Sequence, residues 1–198
     1  KLGGLESVKE KLKKINRIII TGCGTAYLAG TIGKLMIEEV SGIPCEAELA
    51  SELRYRKFFP DSQNLAIVAI SQSGETADTL AVLKKVSVRG GSASGRKEKF
   101  EKNKKCKELG SKNDILTLGI VNVVGSTIAR ETDAGIYNHA GPEIGVASTK
   151  AFTSQLIILA LLAVFLGRQR NNLSVEAGKK ITLEIKKIPA LVREIFKQ

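Results

Sequence analysis

Two kinds of apolar pattern alternate along this chain. Short continuous runs, Ile18-Ile19-Ile20, Leu65 to Ile70 and Leu116 to Val121, are bounded by turn residues and have the length of buried strands. Between them apolar residues recur at helical spacing. Leu5, Val8, Leu12 and Ile15, with lysines on the other side, predict an amphipathic helix over 5–15. Arg17 to Thr21 is a first strand. A helix from Tyr27 to Val40 follows, stopped by Ser41-Gly42 and Pro44. Glu46 to Ala50 reads as a second strand on a modest signal, and Ser51 caps a short helix over 51–56. The third strand, Leu65 to Ile70, leads into a helix carrying Ala77, Leu80, Ala81 and Leu83 on one face. Leu116 to Val121 is the fourth strand, ended at Asn122; Ser126 to Glu131 is a short helix and Ala134 to Tyr137 a fifth strand. Gly141 to Lys150 is a polar, glycine-rich loop before a long apolar helix, Phe152 to Phe165. Ser174 to Lys197 is an exposed amphipathic helix with Pro189 as a place for a kink. No internal repeat is present at a 20–50-residue period.

Five strands alternating with helices predict an open, parallel three-layer α/β sandwich. With strand order 2-1-3-4-5, a switch point falls between the first and third strands, and ligands of such sheets bind at the strand carboxyl ends there. Two loops rich in Gly and hydroxyls follow those two strands: Gly22-Cys23-Gly24-Thr25-Ala26 and Ser71-Gln72-Ser73-Gly74-Glu75-Thr76. The second is a strand-to-helix turn with three hydroxyls and a glycine. Helix N-termini carry unpaired N–H groups and a partial positive charge, so such a turn suits an anion. By itself it could equally be an ordinary N-cap, with Ser73 capping. The convergence of two such loops on one crevice favours phosphate.

The first loop is not a dinucleotide fingerprint, because Tyr27 stands where the third glycine of GxGxxG would be. Cys23 has no neighbouring His in sequence and reads as a buried thiol before a nucleophile. His139 sits at a strand end, where a loop contact is the expected role, and Lys150 is either a solvated lysine or a partner for an anion. Three cysteines, Cys23, Cys45 and Cys106, are odd in number and widely spaced, so neither a disulfide framework nor a zinc site is expected. No metal and no cofactor are implied.

The chain has 198 residues, 43% of them hydrophobic and 26% charged, which suits one globular domain. Its net charge of +11 raises the question of nucleic acid. Residues 1–17 carry a balance of +4, and residues 86–105 and 168–198 carry +5 each, which leaves the motif-bearing body at −3. Aromatic residues make up 5% and there is no Trp, so base-stacking platforms are missing. Solvated helix faces account for the charge, and no nucleic-acid partner is expected. The most apolar stretch, Leu156 to Leu166, is too short to span a membrane and reads as a buried helix. Lys1-Leu2-Gly3-Gly4 lacks an initiator Met and a signal-peptide core, so the chain reads as a cytoplasmic piece excised from a longer protein.

Taken together, Ser71 to Thr76, Glu143-Ile144-Gly145-Val146-Ala147-Ser148-Thr149-Lys150-Ala151-Phe152 and Ser51-Glu52-Leu53-Arg54-Tyr55-Arg56 resemble a sugar isomerase (SIS) domain. Within that superfamily they are similar to the first SIS domain of the glutamine–fructose-6-phosphate aminotransferases, the glucosamine-6-phosphate synthases. Gly22 to Thr25 and Gly42 to Cys45 match as well, and the resemblance runs from about Arg17 to Gly167. It implies a flavodoxin-like five-stranded parallel sheet of order 2-1-3-4-5. It implies that Ser71, Gln72, Ser73 and Thr76 hold the phosphate of fructose 6-phosphate or glucosamine 6-phosphate, while Thr25, Val146 and Ser148 line the sugar. In that family ammonia from glutamine aminates the open-chain ketose, and an acid–base step isomerises the product. The residues that carry this chemistry belong to a second SIS domain, the C-terminal tail and a partner subunit of a homodimer, and glutamine is hydrolysed by a separate glutaminase domain. This chain would then hold no catalytic residue of its own.

Two departures stand out. Ala26 occupies a place where many relatives have Ser. Residues 86–105 separate two segments that the family joins in one helix, and their Gly/Ser-rich and then charged composition reads as a surface insertion. The expected organisation is a single SIS domain over 1–198, with a core at about 17–167 and a helical extension at 168–198. Two other functions remain open. One is a sugar-phosphate-sensing regulatory module. The other is a stand-alone phosphosugar isomerase, for which Glu52 or Glu143 would be the acid–base candidates.

Overall fold

The computed structural model describes residues 2–57, 64–90 and 115–197. Five parallel strands, β1 (Arg17–Gly22), β2 (Cys45–Leu49), β3 (Leu65–Ser71), β4 (Leu116–Val121) and β5 (Ala134–Tyr137), form one sheet in the order β2-β1-β3-β4-β5. The expected order holds, and with it the switch point between β1 and β3. Thr21 pairs with Ala69 across that junction, so both strands end at the same edge.

Every residue of β3 is buried, as its continuous apolar run requires, because both faces of the sheet are covered. On one face Ile18, Ile20, Ala66, Val68, Ile70, Leu118 and Ile120 pack beneath α2 (Thr25–Ser41) and α6 (Lys150–Gln169). On the other, Ile19, Leu65 and Ile67 meet α3 (Ala50–Leu53) and α4 (Ala77–Gly90). Ala69 and Val121 pack with Leu83 of α4 and Ile128 of α5 (Thr127–Glu131). Helices α2 and α6 lie close because Gly33 of α2 has no side chain. A Cβ there would stand 2.6 Å from Leu159 Cδ1.

Several boundaries differ from the sequence expectation. The N-terminal helix is a 3-10 segment, Gly3–Val8, followed by α1 (Lys9–Lys14). Leu5, Val8, Leu12 and Ile15 are nevertheless all buried, because the 3-10 spacing of three residues also keeps 5 and 8 on one side. Gly4 lies so close to the Gly135 carbonyl of β5 that a Cβ would overlap it. Helix α2 begins at Thr25, two residues early, since Gly24 at φ 55° lets the chain turn directly out of β1. Ser51 is not a cap: α3 starts at Ala50, whose burial pulls it into the helix, and Leu49 holds the extended cap position without a side-chain bond.

Helix α4 continues to Gly90, and Val86, the first residue of the expected insertion, is buried in the core. Residues 91–105 of that insertion, and Cys106 after it, lie outside the described residues. Helix α6 is 20 residues long and, by length and composition, apolar enough to cross a membrane, contrary to the reading from Leu156 to Leu166 alone. Half of its most apolar window is buried inside this fold, against the sheet and α2. Helix α7 (Val175–Ile195) is capped by Ser174, which accepts from the Ala177 N–H at 3.1 Å, and it runs on through Pro189.

Candidate functional site

Parallel strands send every β-to-α connection out of one edge of the sheet, and the hydroxyl-rich loops lie along that edge. Gly22 ends β1 beside β3; a Cβ on it would come within 2.9 Å of the Ile70 carbonyl oxygen. Thr25 is the first residue of α2 and half-buried. On the neighbouring strand the chain turns through Ser71 to Thr76 into α4, with Leu80 N–H donating to the Thr76 carbonyl at 2.9 Å. The first N–H groups of α4, from Ala77 and Asp78, have no upstream carbonyl of their own helix to donate to.

Inside this turn the hydroxyls divide their work. Ser71 is buried; its Oγ accepts from the Gly74 N–H at 2.9 Å and lies 2.9 Å from Thr76 Oγ1. It braces the turn. Ser73 Oγ accepts from the Glu75 N–H at 3.2 Å, which leaves its own proton free to donate. Gln72 is half-buried, and its backbone carbonyl accepts from the Asn122 backbone N–H at 3.3 Å. Gly74 adopts φ 68°, and a Cβ there would strike Ser126 Oγ at 2.0 Å. Only glycine fits both the left-handed backbone and that contact.

The turn is anchored from outside as well. Glu75 accepts from the Thr127 N–H at 2.6 Å and so ties the turn to the start of α5. That bond holds its carboxyl below the ordinary value, with help from the Thr127 hydroxyl and Arg130. Arg54 reaches Asp78 in the first turn of α4 at 2.5 Å and stacks on Tyr55 at 5.1 Å. The Arg54 and Arg56 carbonyls receive the Lys85 ammonium at 2.8 and 2.5 Å. The Ser51–Arg56 motif therefore buttresses α4, and Glu52 in it is exposed to solvent.

The third loop connects β5 to α6. Asn122, at the end of β4, stitches it down: Oδ1 accepts from the Ala140 N–H and Nδ2 donates to the Gly141 carbonyl, both at 2.8 Å. His139 is exposed at φ 51°, its ring 6.0 Å from that of Tyr137, which fits a loop contact. Glu143 is engaged by the entry of α6, accepting from the N–H groups of Thr149 and Lys150 at 2.9 and 3.0 Å. Val146 and Ile144 are fully exposed, and Ser148 is half-buried.

Of the expected site residues, Gln72, Ser73, Thr76, Val146 and Ser148 lie on the connections at this edge, Ser71 ends β3 and Thr25 starts α2, and among the seven only Ser71 and Thr76 bond to each other. Sequence reasoning missed Asn122, Ser126 and the Glu75–Thr127 tie. Each joins segments distant in sequence, and the signal available for Asn122 was its place at a strand end. Cys23 is half-buried, and its thiol is pushed up first by burial and then by the charge of Asp78, which suits a packed thiol. Among the described residues no three His, Cys, Asp or Glu side chains cluster as metal ligands. The arrangement can grip a small dianion with neutral donors and a helix start.

Similar proteins share this frame. The glutamine–fructose-6-phosphate aminotransferase [isomerizing] of Chlorobaculum tepidum is 44% identical over 197 residues, 100% of this chain and 28% of that protein. Its counterpart in Bacteroides thetaiotaomicron is 41% identical over 196 residues, again 28% of its length. This chain thus spans little more than a quarter of those relatives. The C-terminal domain of glucosamine-fructose-6-phosphate aminotransferase from Francisella tularensis superposes with a TM-score of 0.80 at 38% identity, over 97% of this chain and 47% of that one. Glucosamine-6-phosphate deaminase from Thermotoga maritima, at 20% identity and a TM-score of 0.60, shares the fold. The family model described as the SIS domain matches residues 11–95 and 93–165, which take in all five strands and all three loops of the crevice. With the sheet order, the hydroxyl turn and that match in agreement, the chain belongs to the SIS domain family.

Proposed function

We propose that this chain is the first, sugar-phosphate-binding SIS domain of an isomerising glutamine–fructose-6-phosphate aminotransferase, a cytoplasmic homodimer that makes glucosamine 6-phosphate from fructose 6-phosphate and glutamine. The observation that carries this reading is the Ser71–Thr76 turn: a rigidly braced loop with donors left over, set at the switch point between β1 and β3. Ser73, Thr76, Gln72 and the first N–H groups of α4 bind the phosphate, with Ser71 holding their geometry. Each charge-assisted hydrogen bond contributes about 1.5–3 kcal/mol. Thr25, Val146 and Ser148 line the sugar.

The acid–base residues are supplied by a second SIS domain and the amine by a glutaminase domain, so this chain binds and does not turn over. Its domain organisation is a core at about 17–167, an insertion after α4 and a helical extension from 168. The exposed side chains of Ile144, Val146 and Val124 beside the crevice support a partner domain closing over it. So does α7, where Ile188, Val192 and Ile195 share an uncovered face.

Calorimetric titration tests the reading. Glucosamine 6-phosphate and fructose 6-phosphate are expected to bind saturably, and unphosphorylated glucosamine at least tenfold more weakly. Equal affinity for glucosamine with and without phosphate would remove the phosphate turn from the site.

A further inference from the structure

The turn that suits an anion also carries a carboxylate, Glu75, which by charge alone would repel the ligand. Its side chain is engaged elsewhere. Glu75 Oε1 accepts from the Thr127 N–H at 2.6 Å, and the Gly74 carbonyl accepts from the Ile128 N–H at 2.9 Å. Those are the first two N–H groups of α5, which have no partner within their own helix. Ser126 stands at the cap position of α5 in extended conformation, yet its side chain makes no cap bond. Its Oγ is buried, has no hydrogen-bond partner among the described residues, and lies where a Cβ on Gly74 would fall. Two neighbouring residues of the turn thus cap α5 in place of the helix's own serine. The Glu75 carboxyl is held below its ordinary value, first by the Thr127 N–H, so the cap stays charged at neutral pH.

We propose that Glu75 is a positioning residue for anion binding: by capping α5 it clamps the turn to that helix at positions 74 and 75, and so keeps Ser73 and the first turn of α4 in the relative places that one phosphate needs. The inference rests on the sugar-phosphate reading of the site. It adds no contact to the ligand and says what holds the turn in shape. Two consequences follow from the clamp. Glu75 acts through Ser73, so the effects of losing each overlap. An anion held by the turn also tightens the cap, so it slows the opening of two α5 amides that it does not touch.

The test measures the affinity of glucosamine 6-phosphate and of inorganic phosphate for wild type, Glu75→Gln, Glu75→Ala, Ser73→Ala and the Glu75→Ala, Ser73→Ala pair, and follows amide hydrogen exchange at Thr127 and Ile128. Gln and Ala remove the same charge, but only Gln keeps an acceptor for the Thr127 N–H, so their difference isolates the cap. Glu75→Ala is expected to bind both probes at least fivefold more weakly than Glu75→Gln, which stays within threefold of wild type. The double variant is expected to lose less than the product of the two single losses. Glucosamine 6-phosphate is expected to slow exchange at both amides in wild type and Glu75→Gln, and not in Glu75→Ala. Ala matching Gln in affinity, single losses that multiply, or amides indifferent to the ligand would each overturn the assignment. A wild-type chain that binds neither probe would defeat the phosphate reading, and the assignment would fall with it. Ligand-free exchange tells the two failures apart, because amides that open faster in Glu75→Ala would then report a cap with no ligand to position.

Discussion

At the scale of single residues, the proposed function divides the Ser71–Thr76 turn into side chains that bind and side chains that brace. Ser73 spends its lone pair on the Glu75 N–H and keeps its proton. Ser73→Ala is therefore expected to weaken sugar-phosphate binding about tenfold or more, since a lost charged hydrogen bond exceeds about 1.4 kcal/mol, while the ligand-free melting temperature scarcely moves. Thr76→Ala removes a ligand donor and the partner of buried Ser71, so it should lower affinity similarly and also cost about 1 kcal/mol of stability. Titration calorimetry and thermal melts of the two variants check this; a Thr76→Ala melt identical to wild type would show that the Ser71 brace is idle. The strand-to-helix turn itself was legible in the sequence, because hydroxyls and a glycine stand there between an apolar run and a helical pattern. Their division of labour was not, because it depends on which hydroxyl faces Gly74 N–H, and spacing is silent on that. The partners of Glu143 were hidden for the same reason. A glutamate in a glycine-rich loop looks free to take a proton until its oxygen is seen on the Thr149 and Lys150 amides.

Among the elements, strands were read most closely, since a run of apolar residues covered on both faces has one length and no period to misjudge. Helix ends were read less well. Thr25 joins α2 because Gly24 tolerates a positive φ, and Ala50 joins α3 because it is buried; neither cause is local. Helix α4 shows what such an error does. Its buried residues extend to Val86, so the surface excursion cannot begin there. Excising residues 91–105 and joining Gly90 to Cys106 is expected to leave folding and ligand affinity intact. The cut lies at the end of a 14-residue helix, about 20 Å from the phosphate turn at its start. Loss of soluble protein or of binding would place the excursion in the core or the site. Helix α6 gives the complementary case. Leu159 fills the space left by Gly33, and Leu159→Ala should cost about 2–5 kcal/mol in urea unfolding, because two helices held at that distance leave a cavity in place of the side chain.

For the whole molecule, the proposed function separates binding from chemistry. The Ser71–Thr76 turn proposed to hold the phosphate carries its own braces, Ser71 to Thr76 and Glu75 to Thr127. A proton acceptor for isomerisation is a different matter. Glu143 is occupied by α6, Glu52 points to solvent from α3, and the Cys23 thiol is held protonated by burial. Isomerisation needs a base within about 3 Å of the migrating proton, and a phosphate anchor alone raises local concentration without moving that proton. The chain is therefore expected to bind fructose 6-phosphate or glucosamine 6-phosphate weakly, to interconvert neither aldose and ketose nor glutamine and glutamate, and to bind less tightly than a protein in which a second domain covers Ile144 and Val146. The decisive experiment pairs ligand titration with a sensitive aldose–ketose conversion assay on this purified chain. Binding without turnover supports the half-site. Turnover abolished by Glu52→Gln would make it a self-sufficient isomerase, and its base would then be the exposed carboxylate of α3.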